Sequence, residues 1–226
     1  MEKIRISSGG QVSTAELYQP SMTAKGGLIV IAYGSDGLTN DLSGQWATMI
    51  RGYATSLVAK GFTALIPDYL GYTRTTPGPG VFELIPRYRD AWQNGLAAAI
   101  DHASTLATIG PKRIGLLGFS LGGHLCLRLR GKANVLVEFF APVMDSIGAS
   151  GTLTHAQVHH GQADRVPGTG FENAVTITNA LKAEGTATEL FPYPSAGHGF
   201  IGNDHDNTQA RALSKERTMQ FFQAHL

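Results

Sequence analysis

The sequence has 226 residues, 42% of them hydrophobic and 15% charged, which is enough apolar material for the core of one domain. Its 18 lysine and arginine residues nearly balance 17 aspartate and glutamate residues, and the formal net charge is +1. Because no basic tract is interleaved with aromatic residues, the composition argues against a nucleic-acid partner.

The expected compartment follows from what the sequence lacks. The first ten residues contain no apolar signal-peptide core, and no stretch of about 18 apolar residues occurs in the chain. We therefore expect a soluble, cytoplasmic protein with no membrane partner, and its oligomeric state is expected to be either a monomer or a homodimer.

Cys126 is the only cysteine, so a disulfide within the chain is excluded. Its place on an apolar helical face predicts a buried thiol.

Short β-like segments open the chain. Residues 4–6 and 12–17, separated by the Ser-Ser-Gly-Gly run at 7–10, predict an antiparallel hairpin at a sheet edge. A polar loop over residues 20–27 then gives way to the apolar run Leu28–Ala32. Such a continuous run is typical of a central strand that is buried on both faces.

Helices and strands then alternate. Residues 46–60 show an amphipathic helical pattern that ends at a glycine, and residues 62–66 predict the next strand. The Thr-, Pro- and Gly-rich stretch 71–80 predicts a loop at the rim of a substrate site. Residues 85–109 carry one apolar stripe at helical spacing, stopped by the Gly-Pro pair at 110–111, and predict a long crossover helix.

The second half of the chain repeats this alternation. We predict strands at residues 113–117, 134–140, 155–160 and 188–191, and helices directly after Ser120, at 173–184 and at 208–226. Parallel strands need crossover connections, which helices supply. The sequence therefore predicts an α/β fold with a mostly parallel, twisted sheet of about eight strands and helices on both faces, in one domain over residues 1–226.

A candidate nucleophile lies at the turn between a predicted strand and a predicted helix. Gly118-Phe119-Ser120-Leu121-Gly122 matches the pattern G-x-S-x-G, with Ser120 at the apex of the turn. A serine in this strained conformation requires small residues two positions before and two after it. An ordinary glycine-rich turn is the alternative interpretation of these residues taken alone.

A serine hydroxyl is a weak nucleophile at neutral pH, so it needs a histidine base and a carboxylate that orients the histidine. Asp164 lies in a Gly- and Pro-containing turn after a predicted strand, and His198 lies between two glycines after the last strand. Both side chains are therefore expected at the carboxyl edge of the sheet. We predict Ser120, Asp164 and His198 as nucleophile, acid and base, in that order along the chain.

Other residues compete for these roles. Asp145 follows the preceding strand and is a rival for the acid. His205, within a run of acidic and amide residues, and His124, on the helix after Ser120, are rivals for the base. The surroundings of His205 indicate polar surface, and His124 is expected to pack in the core or to line the pocket.

A cluster of histidines raises the question of a metal. His155, His159 and His160 lie close to Asp164 in sequence, but successive residues of a strand point to opposite faces and cannot all converge on one ion. We therefore predict no metal site and no cofactor.

Together these motifs carry a resemblance to a known family. The chain resembles the α/β-hydrolase superfamily over nearly its whole length, and within it the dienelactone hydrolase family. The residues concerned are Pro67-Asp68-Tyr69, Gly118 to Gly123, His160 to Pro167 and Gly197-His198-Gly199-Phe200. Dienelactone hydrolases proper carry cysteine in the elbow, whereas this chain carries Ser120, and the serine-bearing relatives imply a carboxylic ester hydrolase.

The resemblance also implies an oxyanion hole made of two backbone amides, those of Ser35 and Leu121. Donors aimed at the developing negative charge are each worth about 3 kcal/mol where they have been measured. Tyr33 stands where the family commonly has histidine, and it is expected beside the site. Because the donor is a main-chain group, this departure is expected to have little effect.

Three arginines lie around the predicted rim. Arg74, Arg87 and Arg89 are candidates for binding a substrate carboxylate, since a guanidinium pairs with it in bidentate fashion. Solvated surface is the alternative interpretation of these side chains.

The sequence thus predicts a serine hydrolase that cleaves a small-molecule ester or lactone through an acyl-enzyme. A peptidase with the same triad and a noncatalytic binding protein on the same fold are the alternatives. The acyl and alcohol groups of the substrate do not follow from these motifs.

Overall fold

The computed structural model describes residues 1–21, 27–40, 45–105, 113–147 and 153–226 and contains an eight-stranded sheet. The strands are β1 (Glu2–Ser8), β2 (Gln11–Tyr18), β3 (Leu28–Ala32), β4 (Thr63–Pro67), β5 (Ile114–Phe119), β6 (Val135–Phe139), β7 (His155–Gly161) and β8 (Ala187–Tyr193). Their order in the sheet is β1-β2-β4-β3-β5-β6-β7-β8.

The pairing within this sheet is mostly parallel. β1 and β2 form an antiparallel hairpin, and β2 pairs antiparallel with β4. All strands from β4 through β8 pair in parallel with their neighbours. The predicted α/β fold, the edge hairpin and the central position of Leu28–Ala32 are confirmed.

Five α-helices connect and flank the strands in the part of the chain that the structure describes. They are α1 (Trp46–Ala59), α2 (Val81–Ser104), α3 (Leu121–Leu129), α4 (Glu172–Ala183) and α5 (His205–His225). Single 3-10 turns occupy Leu70–Thr73, Arg130–Lys132 and His198–Phe200. The first of these lies partly within the stretch 71–80 that was predicted as a loop.

Two helices begin earlier than the sequence predicts. α2 begins at Val81, four residues before the predicted start, and continues through Pro86, because Val81 and Ile85 share one face and are both buried. α5 begins at His205, since the Asp204 carboxylate caps it by accepting from the Asn207 amide at 2.9 Å. The predicted end of the long helix, at 106–111, lies outside the described residues.

Helices cover both faces of the sheet, as two glycines of β5 illustrate. A Cβ at Gly115 would lie 2.7 Å from the ring of Phe222 in α5, and a Cβ at Gly118 would lie 2.6 Å from Gly123 in α3. Residues an odd number apart in a strand face opposite sides, so α3 and α5 lie on opposite faces. The central strands β3 and β6 are buried throughout.

The parallel pairing aligns the carboxyl ends of β3, β5, β6 and β7 at one edge of the sheet. The loops that follow these strands hold Ser35, Ser120, Phe140 and Asp164, so the fold places the candidate residues on one side of the molecule. No helix within the described ranges combines the length and apolarity that crossing a bilayer requires.

Phe222 tests how firmly α5 is packed on the sheet. Its ring is fully buried, with its centroid 6.5 Å from that of Phe62. We expect Phe222→Ala to lower the free energy of unfolding by about 3–5 kcal/mol in urea titrations, because a cavity is left in the core. Leu213→Ala in the same helix is the control, since Leu213 is exposed and should change this free energy by about 0.5 kcal/mol or less. Equal losses in the two variants would contradict this packing.

Candidate active site

Ser120 lies between β5 and α3 with a backbone that non-glycine residues rarely adopt, φ 51° and ψ −120°. Its amide donates to the carbonyl oxygen of Phe139 at 2.9 Å. The flanking glycines are required by close approach: a Cβ at Gly122 would lie 2.3 Å from the carbonyl oxygens of Ala32 and Tyr33. The strained turn therefore depends on the absence of a side chain at this position.

The three predicted residues meet in one chain of hydrogen bonds. His198 Nδ1 lies 2.7 Å from Asp164 Oδ2, and His198 Nε2 lies 3.2 Å from Ser120 Oγ. A carboxylate only accepts, so Nδ1 carries the proton and Nε2 is left to accept from the serine hydroxyl. This is the arrangement in which a histidine can take a proton from serine.

The Asp164 carboxylate is held by several donors. Its Oδ1 accepts from the Val166 amide and from the Thr169 hydroxyl, each at 3.0 Å. Its Oδ2 also lies 3.2 Å from His160 Nε2. Burial by itself raises the pKa of this carboxyl, but the bonds from His160 and His198 outweigh it and hold the pKa well below its usual range.

The rival residues lie elsewhere. The Asp145 carboxylate pairs with the guanidinium groups of Arg89 and Arg128, and it lies 3.8 Å from His124 Nε2. Burial lowers the pKa of His124 to about 4, so this histidine is neutral at physiological pH. His205 is exposed at the start of α5. The structure does not bring these side chains to Ser120.

The histidines of β7 have separate partners. His155 stacks on His225 with ring centroids 3.9 Å apart, and His159 Nδ1 lies 2.8 Å from the Tyr193 hydroxyl. His160 contacts Asp164 instead. Within the described ranges, no three His, Cys, Asp or Glu side chains are grouped so that they could hold a metal ion.

The two predicted oxyanion donors flank Ser120. Ser35 lines the same cavity as Ser120, and a Cβ at the preceding Gly34 would lie 3.3 Å from Ser120 Cβ. Leu121 is the first residue of α3, so its amide has no acceptor within the helix and lies at the positive end of the helix dipole. Two main-chain donors thus belong to residues that adjoin the serine.

Tyr33 is adjacent to the site in sequence but its side chain is engaged elsewhere. The ring is 2% exposed, and its hydroxyl donates to Asp68 Oδ1 at 2.7 Å. The ring stacks on Tyr69, whose hydroxyl donates to the Tyr33 carbonyl oxygen. Tyr33 directly precedes Gly34 of the Ser120 cavity, but it does not line that cavity itself.

The three arginines are also separate from the cavity. Arg74 ends a 3-10 turn with φ 54°, and the Arg87 guanidinium lies 4.9 Å from the ring centroid of Tyr88. Arg89 pairs with Asp145 at 3.1 Å. None of the three lines the Ser120 cavity, so its wall gives no support for substrate binding by Arg74 or Arg87.

A cavity of about 200 Å³ lies beside Ser120 and His198. Most of its wall is apolar: Trp46, Ile50, Phe82, Phe119, Phe140, Val166 and Ile201. No sequence motif marked these side chains as the wall of a cavity. Phe140 and Val166 could have been found, because each follows the carboxyl end of a parallel strand.

Two further residues near Asp164 were not predicted to belong to the site. His160 contacts Asp164, and Glu138 is fully buried in β6. The signal for Glu138 was present, since it is a single charge inside the apolar run Val135–Phe139. A charge in a strand buried on both faces is rare without a specific partner.

A family model described as the dienelactone hydrolase family matches residues 17–226. A carboxymethylenebutenolidase homologue of Synechocystis sp. is 24% identical over an alignment of 212 positions, and the match covers 78% of this chain and 80% of the relative.

Solved structures share the fold. A dienelactone hydrolase-like promiscuous phosphotriesterase from metagenomic libraries is 19% identical, with a TM-score of 0.77 and coverage of 99% of this chain and 97% of that chain. Est1E from Butyrivibrio proteoclasticus is 15% identical, with a TM-score of 0.68 and coverage of 97% and 98%.

The low pKa of Asp164 predicts how its contribution to stability varies with pH. A carboxyl whose folded pKa lies below its unfolded value of about 3.9 stabilises the fold above that pH, and the contribution is lost as pH falls through the folded pKa. We therefore expect Asp164→Asn to lower the free energy of unfolding more at pH 7 than at pH 3, measured by urea titration. Asp101→Asn, an exposed carboxyl in α2, is the control. An equal loss at both pH values would contradict the prediction.

Proposed function

The chain belongs to the dienelactone hydrolase family and is a hydrolase, and from this membership we propose that it cleaves a carboxylic ester or lactone of a small substrate through an acyl-enzyme. The single observation that carries the proposal is the hydrogen-bond chain from Ser120 through His198 to Asp164. A hydroxyl activated in this way attacks carbonyl carbon.

The reaction would proceed in two halves. Ser120 Oγ attacks the ester carbonyl while His198 Nε2 takes the hydroxyl proton, and the imidazolium then gives that proton to the leaving alkoxide. Water attacks the resulting acyl-serine with His198 again as the base. Asp164 stabilises the imidazolium in both halves, and the amides of Ser35 and Leu121 would stabilise the negatively charged oxygen.

The geometry also bears on the alternatives. A noncatalytic binding protein on this fold would be expected to lack or misplace one of the three residues, and the continuous hydrogen bonds argue against it. A peptidase could use the same triad. The cavity of about 200 Å³ and its apolar wall favour a small ester over an extended peptide.

The lining of the cavity narrows the class of substrate. Asp36 and His198 are its ionisable residues, and no lysine or arginine is among the described residues that line it. An apolar wall without a cation favours an uncharged acyl or alcohol group, because burying an unpaired carboxylate costs several kcal/mol. We therefore propose a neutral, apolar ester or lactone.

The role of Ser120 is tested by removing its hydroxyl. We expect Ser120→Ala to lower kcat on p-nitrophenyl butyrate by about 1,000-fold or more, because no acyl-enzyme can form. A fluorophosphonate probe should label the unmodified protein at Ser120 and fail to label the variant. Ser56→Ala, in α1, is the control and should keep both activity and labelling. Retained turnover in Ser120→Ala would refute the proposed role of Ser120.

The charge preference is tested with two matched substrates. p-Nitrophenyl pentanoate and mono-p-nitrophenyl glutarate share the leaving group and the chain length of the acyl group, but only the glutarate carries a terminal carboxylate. We expect kcat/KM for the glutarate to be lower by roughly tenfold or more, since its carboxylate would meet an apolar wall and Asp36. An equal or higher kcat/KM for the glutarate would refute the preference for neutral substrates.

A further inference from the structure

Two buried ionisable residues lie behind the triad on neighbouring strands. Glu138 in β6 pairs in register with Val158 in β7, and His160 is two residues beyond Val158. Side chains two apart in a strand share a face, so Glu138 and His160 lie on the same face of the sheet. This is the face of α3, because a Cβ at Gly123 would lie 3.5 Å from Glu138 Oε2. Both side chains are 0% exposed.

His160 contacts the triad directly. Its Nε2 lies 2.7 Å from the carbonyl oxygen of Thr169, which can only accept, so Nε2 carries a proton. The same Nε2 lies 3.2 Å from Asp164 Oδ2, the oxygen that also accepts from His198 at 2.7 Å. One carboxylate oxygen therefore lies between two imidazole rings.

Glu138 is close enough to His160 for the charges of the two groups to interact. Its Oε2 accepts from the Ala141 amide at 3.0 Å. Its Oε1 and His160 Nδ1 are both buried and have no hydrogen-bond partner in the described part of the chain. Burial raises the pKa of Glu138 to about 7, and the nearby His160 offsets part of that rise. Burial lowers the pKa of His160, but the bond to Asp164 and the charge of Glu138 outweigh it and raise the pKa.

Within the described ranges, few other groups face Glu138 and His160. The Cys126 thiol of α3 is near Glu138, and burial raises its pKa, so it is uncharged at neutral pH. The edge of the Phe171 ring packs on His160 at the start of α4. His198 lies across Asp164 on a separate loop. The charge of His160 therefore depends mainly on Asp164 and Glu138.

We propose that His160 is a positioning residue for Asp164 and that it acts as an imidazolium, with Glu138 as the buried carboxyl that stabilises its charge. His160 holds Asp164 Oδ2 in position to accept from His198. The positive charge of His160 at the same time partly neutralises the Asp164 carboxylate. This inference rests on the proposed function, because it concerns the basicity of the same His198.

The pair has a measurable consequence for the base. Asp164 is shared by His160 and by the imidazolium that His198 forms during the reaction. A cation already beside Asp164 makes protonation of His198 less favourable, since two like charges then face one carboxylate. Removal of the His160 charge is therefore expected to move the acid limb of the kcat/KM profile.

The first test measures the protonation of His160 in the unmodified protein. Histidine-selective ¹⁵N NMR, with the His160 signals assigned from their loss in His160→Gln, should show both ring nitrogens protonated at pH 7. In Glu138→Gln the midpoint of the His160 titration should fall by about one pH unit, because a neighbouring negative charge is lost. A neutral His160 at pH 7, or a midpoint that Glu138→Gln does not move, would overturn the proposal.

The second test separates charge from placement. Glutamine at position 160 can still donate to Thr169 and Asp164 but carries no charge. In His160→Gln the acid limb of the kcat/KM profile should move to higher pH by about one unit. His159→Gln is the matched control, since His159 is equally buried on the other face of β7 and should leave the limb in place. Lower activity with an unmoved limb in His160→Gln would mean a structural role only and would overturn the proposal.

The proposed function of Ser120 and the proposed charge of His160 can be refuted independently. Retained turnover in Ser120→Ala would remove the proposed function but would leave the NMR titration of His160 as measured. A neutral His160 in the NMR experiment would remove the present proposal while Ser120 kept its role.

Discussion

The site depends on the close approach of backbone to backbone at Ser120. The turn from β5 into α3 gives Ser120 a positive φ, a conformation that costs on the order of 1–3 kcal/mol and persists only when its surroundings enforce it. Here α3 packs so closely that Gly122 touches the carbonyl oxygens at the end of β3. The Ser120 amide is satisfied by Phe139 in β6, so three neighbouring strands hold the turn.

A second close approach brings the histidine to this turn. Gly161 ends β7, and a Cβ there would lie 2.2 Å from the Ala196 carbonyl oxygen of the loop after β8. The same carbonyl accepts from the Ala163 amide at 3.0 Å, so the Asp164 and His198 loops are joined along their main chains. This contact allows residues 34 and 78 positions apart in sequence to form one hydrogen-bond chain. The geometry of this hydrogen-bond chain therefore depends on the packing of the main chain.

The features that could be predicted from the sequence are those that depend on residues close together in the chain. Apolar runs such as Leu28–Ala32 predict buried strands, and the glycines around Ser120 predict a strained turn. The start of α2 could not be predicted, because the turn that precedes Pro86 is helical only through the packing of Val81 against the core. The cavity wall could not be predicted for a similar reason, since Trp46 and Phe82 belong to different helices and line one cavity only in the folded chain.

The placement of Glu138 and His160 behind Asp164 also could not be predicted from the sequence. The sequence alone does not place His160 on the same face as Glu138, because the register between β6 and β7 is a property of the folded sheet. Burying ionisable groups is costly, and apolar replacements of similar volume are often as stable or more so. A chain with only 15% charged residues nevertheless keeps Glu138, His160 and Asp164 together in its core. An apolar pair at 138 and 160 would fill the space but would leave Asp164 Oδ2 with one donor, so the presence of these two ionisable residues is better explained by their effect on Asp164 than by stability.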